Sequence, residues 1–402
     1  MGWAMIPLRG TTTGLDRPLD RSMWLMVDGS GTAEPHHALL LRDSDRSASR
    51  AGDYGLVVRH ACASVNDSPA VLTLPPELGH LVPGDIVNVT ADGTKVRVLW
   101  RRDGWPNSIL LTERCDNYCL MCSQPPRDVD DSWLLGRAHE LIDMLPITTP
   151  QILFTGGEPT IYGKGFLDLM RFTLDRLPAS EVHILTNGRK FSDESFARAY
   201  AEVGDPRMMV GIPLYGAERS LHDFVVQADG VFDETVRGIL NLAALCQPIE
   251  IRVVVHKQTA PAIVEIAEFI ARNLPFVDQV ALMGLEMMGL ARANMSDVWI
   301  DPWDYRDELA EAALLLESAR IRTLIFNHQL CLLDESVWHL AVPSISDWKN
   351  VYLPECDGCA VRQDCGGFFH SSKYRTSDHI RAVESPAEDD ASAQLLPHVG
   401  CH

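Results

Sequence analysis

Between residues 107 and 300, six short apolar runs alternate with longer amphipathic stretches. The runs are SILLT (108–112), QILFT (151–155), VHILT (182–186), RMMVGIPL (207–214), IEIRVVV (249–255) and VDQVALM (277–283). The stretches between them read as helices near 131–145, 163–177, 191–203, 232–246 and 261–274. A strand that is apolar throughout is buried on both faces, and a parallel crossover needs a helix-length connection. The pattern therefore predicts an α/β fold of parallel βαβ units, with ligands at the C-terminal ends of the strands. Six such units predict a partial (β/α)6 barrel, open on one side to a bulky substrate.

The flanks read differently. Residues 1–105 form a small β-rich domain, with strand candidates at 23–27, 38–42, 55–60, 85–90 and 95–100. The last two flank Ala91-Asp92-Gly93-Thr94, and Asp-Gly is a strong hairpin signal. Residues 106–300 are the barrel. Residues 301–375 form a cysteine-bearing C-terminal domain with a helix near 304–318 and a strand at 322–326. Residues 376–402, with SPAEDDASAQ, read as a disordered polar tail.

Lys plus Arg number 35 and Asp plus Glu 55, a formal charge of −20. This argues against a nucleic-acid partner, whose phosphates call for clustered cations, and against anionic lipid. No run approaches the ~20 apolar residues of a membrane span, and the N-terminus has no basic start followed by an apolar run. The expected location is the cytoplasm, where ten cysteines do not signal disulfides. Seven of them fall into two groups, and Cys62, Cys246 and Cys401 stand alone.

The first group, Cys115, Cys119 and Cys122, has the spacing CxxxCxxC and follows the first barrel strand. Three close thiolates without a local fourth ligand suit three irons of a cubane, leaving the fourth iron open to a ligand. A zinc site completed by a distant residue is the alternative. About 35 residues on, Thr155, Gly156, Gly157, Glu158 and Pro159 end the second strand. The glycines permit close backbone approach to a ligand, and the glutamate can accept from an ammonium group.

CxxxCxxC followed by GGEP, each after a strand, resembles the radical S-adenosylmethionine (SAM) superfamily. The resemblance implies a 4Fe-4S cluster on Cys115, Cys119 and Cys122 whose open iron chelates SAM. Reductive cleavage then gives a 5′-deoxyadenosyl radical that abstracts hydrogen from the substrate. It also implies that Thr155–Pro159 bind the SAM amino group and that Asn187 of LTNG (185–188) lies near the cofactor. Arg252, inside the fifth strand, is read as a partner of the cofactor carboxylate or as a member of a structural ion pair. Met121 stands where relatives commonly carry an aromatic residue, with its backbone near the adenine.

Cys356 and Cys359 form CxxC, Cys365 follows, and Cys331 lies upstream. Four thiolates can close a second 4Fe-4S cluster, and a four-cysteine zinc site uses the same residues. The segment resembles the twitch-type auxiliary domain of radical enzymes, with one extra cluster.

TERCDNYCLMCSQPPRDVDD, GGEPT, ISDWKN (345–350) and the terminal CxxC…CGGFF together resemble the C-type radical maturase of the His-Xaa-Ser system. That resemblance implies modification of a ribosomal precursor peptide, an external electron donor and a second radical SAM maturase as partner. A small-molecule or RNA substrate is the second reading, and a zinc-bound interaction module the third. No side chain announces the bond that changes, because hydrogen abstraction requires no protein base. His222, Asp223, His256 and Glu286, at or beyond strand ends, read as structural. The N-terminal domain is read either as a brace or as a platform for a leader segment.

Overall fold

The structure is a computed structural model that describes residues 8–15, 18–41, 53–59 and 70–384. Cys62, Cys401 and the tail from 385 on lie outside the described residues. The first part of the chain forms β1 (Arg9–Thr11), β2 (Met23–Val27), β3 (His37–Leu41), β4 (Leu56–Arg59), β5 (Val71–Thr73), β6 (Ile86–Val89) and β7 (Lys95–Trp100). They make one mixed sheet in the order β1-β7-β6-β2-β3-β4-β5, with β2 to β5 parallel and the rest antiparallel. All five expected strands are present, and β1 and β5 add two. The β6–β7 hairpin turns at Gly93, whose φ of +72° suits glycine. Asp92 fixes the turn by accepting from Thr94 N (3.0 Å) and Thr90 Oγ1 (2.6 Å).

The second sheet begins with β8 (Ser108–Leu110) and α1 (Trp133–Met144), followed by β9 (Gln151–Thr155), α2 (Lys164–Arg176), β10 (Glu181–Leu185) and α3 (Glu194–Ala201). Next come β11 (Met208–Pro213), α4 (Arg219–Val226), α5 (Val231–Ala244), β12 (Ile249–Val255), α6 (Ile263–Asn273) and β13 (Gln279–Gly284). Two short helices, α7 (Gly289–Ala293) and α8 (Met295–Val298), precede α9 (Arg306–Ser318), β14 (Arg322–Phe326) and β15 (Ala341–Val342). A last ribbon pairs β16 (Asn350–Val351) with β17 (Phe368–Phe369).

The large sheet runs β15-β14-β13-β12-β11-β10-β9-β8 and every pair in it is parallel. It has eight strands where six were expected. The run RTLIF sits beside four cysteines in sequence, but α9 returns it beside β13, where Val280 pairs with Thr323. It is one more βα unit, and two-residue β15 follows on its far side. Helix α4 lies outside the helical stretches expected from the sequence. α3 is shorter than the 191–203 forecast, since Asp193 accepts from Ser195 N (2.9 Å) and caps it after a 3-10 turn. One apolar core joins the large sheet to its helices and takes in Met23, Ile86 and Trp100 from the first sheet.

Candidate cluster and cofactor site

Strand β8 delivers the first three cysteines to the C-terminal edge of the large sheet. The loop after β8 and the loop after β9 then run side by side. Leu111 N donates to Thr155 O (2.8 Å), Gly157 N to Thr112 O (2.7 Å) and Glu158 N to Arg114 O (2.7 Å). A Cβ on Gly156 would stand 2.7 Å from Thr112 O, and one on Gly157 only 2.0 Å from Arg114 O. The close approach that these glycines permit is to the cysteine loop itself, a correction to their reading as space for a ligand. Pro159 is buried and opens a 3-10 turn, its ring suited to a first helical position.

The loop is also held from the other side. Tyr118 N donates to Val226 O (3.0 Å) and Leu120 N to Val225 O (2.9 Å), both at the end of α4. Leu290 N reaches Cys122 O (2.8 Å), and Asn294 Nδ2 reaches Leu120 O (2.9 Å). Burial, then the nearby carboxylates and thiols, pushes the Cys115 thiol up to about 12. Cys119 is raised by burial and next by Cys122 and Cys115, and Cys122 by burial. The three sulfurs thus lie within electrostatic reach of one another. A metal deprotonates such thiols outright when it coordinates them. The donor set fits a cluster that takes three protein ligands.

Glu158 is only 1% exposed. Its Oε1 accepts from Thr160 N (3.0 Å), Thr160 Oγ1 (2.6 Å) and Thr186 Oγ1 (2.8 Å), and its Oε2 from Asn187 N (2.5 Å). The carboxylate offered by sequence to an ammonium group is therefore already engaged by four protein donors. It ties the end of β9 to the end of β10. Burial raises its pKa against the pull of those donors.

Asn187 does reach the cysteine loop, donating from Nδ2 to Asp116 Oδ1 (2.6 Å). Beside it lies a residue that sequence reasoning missed. Arg189 donates to Asp116 O (2.7 Å), to Asn117 Oδ1 (2.9 Å) and through Nε to Glu234 (2.6 Å). The available signal was the polar pair Asp116-Asn117 between two candidate ligands, in a loop that needs polar partners once buried.

Met121 packs with Tyr215, Val225, Val226, Ala291 and Val298. The exposed aromatic residue of the loop is Tyr118 instead, 53% accessible. Arg252 pairs with Glu250 (2.5 Å), which also meets His183 (3.4 Å) and the Gln279 amide. Burial favours the neutral acid at Glu250, but Arg252 and His183 outweigh it and hold its pKa at about 2. Of the two readings of Arg252, the structure displays the ion pair.

The four strand-end residues read as structural have visible structural partners. Asp223 accepts from Gly230 N (2.6 Å) and Phe232 N (2.8 Å) at the start of α5. The Nδ1 atoms of His222 and His256 accept from backbone N–H groups. Glu286 binds Lys349 Nζ through both oxygens (3.0 and 2.9 Å).

The second cysteine group also converges. Cys331 is raised by burial, then by Cys365, Cys356 and Cys359, so it lies with the three downstream thiols. It reaches them from a 3-10 turn after β14, which explains its separation from them in sequence. Between β8 and the outgoing cysteine loop, a crevice of about 310 Å³ is lined by Thr112, Glu113, Ser123, Gln124, Arg127 and Gly157, among others.

Residues 109–270 match the family model of the radical SAM superfamily. These residues form a radical SAM domain. Its family implies the 4Fe-4S cluster and SAM, and the three converging thiols are suited to the former. A stretch of 164 residues is 30% identical to the Fe-coproporphyrin III synthase of Methanosarcina barkeri, covering 39% of each chain. The match thus spans about two-fifths of that relative. Among solved structures, SuiB of Streptococcus suis bound to S-adenosylmethionine is similar over 57% of this chain and 51% of its own, with 15% identity and a TM-score of 0.45. The anSMEcpe structure with bound AdoMet is similar over 69% and 92%, with 15% identity and a TM-score of 0.48.

Proposed function

We propose that this chain is a peptide-modifying radical SAM enzyme of the His-Xaa-Ser maturase type. Cys115, Cys119 and Cys122 hold the SAM-binding 4Fe-4S cluster, and Cys331, Cys356, Cys359 and Cys365 hold one auxiliary 4Fe-4S cluster in a twitch-like domain. The bound cluster and SAM supply a 5′-deoxyadenosyl radical that takes a hydrogen atom from the substrate.

The protein's own part is positioning. Gly156 and Gly157 let the cysteine loop seat against β9. Glu158, Asn187 and Arg189 fix that loop to β10 and α5. Backbone groups of Thr155–Pro159 and of Met121 are the cofactor contacts left once those side chains are engaged. Arg252 helps to bind the cofactor carboxylate with the guanidinium nitrogens that do not serve Glu250.

The observation that carries the peptide reading is Lys349 of ISDWKN on Glu286, just past the end of β13. It brings the segment resembling the maturases over the strand ends, where α/β sheets bind ligands. The reading includes a partial barrel, a cytoplasmic location, an external electron donor and a second radical maturase as partner. The edge strands of the first sheet offer main-chain hydrogen bonds to a leader segment.

The test is anaerobic reconstitution with iron and sulfide, followed by reduction with SAM and a His-Xaa-Ser repeat peptide. Formation of 5′-deoxyadenosine together with a peptide of altered mass is the expected result. Deoxyadenosine with an unaltered peptide, but a changed product from an iron porphyrin precursor, favours a second reading. That reading, a small-molecule enzyme, is supported by the 30% identity to a coproporphyrin synthase.

A further inference from the structure

The chain beyond residue 376, expected as a disordered tail, is laid across the second cysteine group as far as Glu384. His379 stacks on Trp303 at 4.8 Å with planes 11° apart, and the Arg381 guanidinium stands 5.3 Å from the same ring. Between them Ile380 packs against the buried cluster Val351, Leu353 and Phe368, on which Cys356 also packs. The N–H of Val383 donates to Cys359 Sγ (3.4 Å), and the Val383 carbonyl accepts from Ala360 N (2.9 Å). The backbone of Arg381 lies near Cys331 and favours its thiolate form. One seven-residue segment therefore runs beside Cys331 and makes a backbone hydrogen bond to the sulfur of Cys359.

We infer that residues 377–383 are a strap that completes the second thiolate site, donating to the Cys359 sulfur and closing the site to solvent. This rests on the reading of Cys331, Cys356, Cys359 and Cys365 as an auxiliary metal site. Sulfur that carries thiolate charge is stabilised by N–H donors, and such donors help to set a cluster's potential. Partners of this outer kind typically hold metal by a factor of about 10–100. The donor here is a main-chain group, so no residue type at 383 advertises it. The apolar side chain at 380 anchors the strap on the cluster that also packs Cys356.

The test uses the full-length chain with Cys115, Cys119 and Cys122 replaced by Ala, so that only the second site binds iron. Iron content after anaerobic reconstitution is measured first. About four irons per chain are expected for a closed cubane. An iron-free parent chain sinks the auxiliary-cluster reading and the strap with it.

Release of iron to a colorimetric chelator is then followed for three variants. Val383→Pro removes one sulfur donor, and release roughly ten-fold faster or more is expected. Val383→Ala keeps the N–H and should release iron like the parent. Ile380→Asp keeps the Val383 N–H but removes the apolar anchor of the strap, so faster release is expected there too, even if the proline variant does not fold. An iron-loaded parent whose Ile380→Asp and folded Val383→Pro variants release iron at the parent rate overturns the strap while leaving the cluster assignment standing.

Discussion

Gly157 is the residue on which the first site turns. A methyl group there would meet Arg114 O at 2.0 Å, a main-chain atom that cannot move without carrying Cys115 with it. Gly157→Ala is expected to abolish 5′-deoxyadenosine formation and to lower reconstituted iron. Gly136, in the exposed part of α1 with nothing within 4 Å of its Cβ position, is the matching control. Gly136→Ala should leave cleavage intact and raise stability by about 0.4–1 kcal/mol in urea unfolding, because alanine loses less chain entropy. Three buried imidazoles supply a pH signature. Burial lowers the pKa of His222, His256 and His328 to about 4. His328 is neutral between Phe326 O on Nδ1 (3.0 Å) and the Tyr305 hydroxyl on Nε2 (3.0 Å). With folded pKa values below the unfolded 6.5, the unfolded chain binds more protons, so stability falls as pH drops from about 6.5 to 4. Each imidazole contributes at most about 3 kcal/mol of this loss. Urea midpoints of the metal-free chain at pH 7 and pH 5 check it, and His328→Gln should shrink the difference.

At the scale of elements, the buried carboxylates act as joints. Asp223 at the C-terminal half of α4 accepts two N–H groups at the start of α5, where unsatisfied donors and the helix dipole both favour a negative charge. Asp223→Ala is expected to cost about 1–2 kcal/mol, by analogy with helix-cap deletions, while SAM cleavage at 25 °C persists. Loss of cleavage in a folded Asp223→Ala protein would instead make Asp223 part of the chemistry. Glu158 performs the same kind of task between β9 and β10, but beside the cysteine loop. Glu158→Gln puts an amide donor where four donors already point, so it should lose both stability and cleavage. Comparing thermal unfolding with deoxyadenosine yield separates the two losses.

At the scale of the molecule, the first thiol group follows β8 and Cys331 follows β14, two strands of one parallel sheet, while Cys356, Cys359 and Cys365 lie between β16 and β17 of the last ribbon. Replacing Cys115, Cys119 and Cys122 by Ala should eliminate SAM cleavage; persistence of cleavage would remove the assignment of the first cluster. The first sheet is joined to this body through Met23, Ile86 and Trp100 in the shared core. Deleting residues 1–100 strips those side chains away and is expected to lower the melting temperature or solubility of the remainder. A truncated protein that melts like the full chain would show that the first sheet does not brace the second.

The sequence alone determined the parallel α/β class, the longer strands and helices, and the grouping of seven cysteines. Those signals are local: an apolar run, a helical period and a fixed spacing are each read within a few residues. The seventh and eighth strands of the large sheet were hidden because strand pairing is non-local, and RTLIF carries no mark of its neighbour. The role of Gly156 and Gly157 and the saturation of Glu158 became visible only when two loops 40 residues apart were laid together. The choice of an ion pair for Arg252 depended on which face of β12 also carries Glu250 and which strand brings His183. The strap over the second cysteine group was illegible for a different reason. Its hydrogen bonds are made by main-chain N–H groups, which every residue but proline has, so only the tertiary path of the chain decides where they fall.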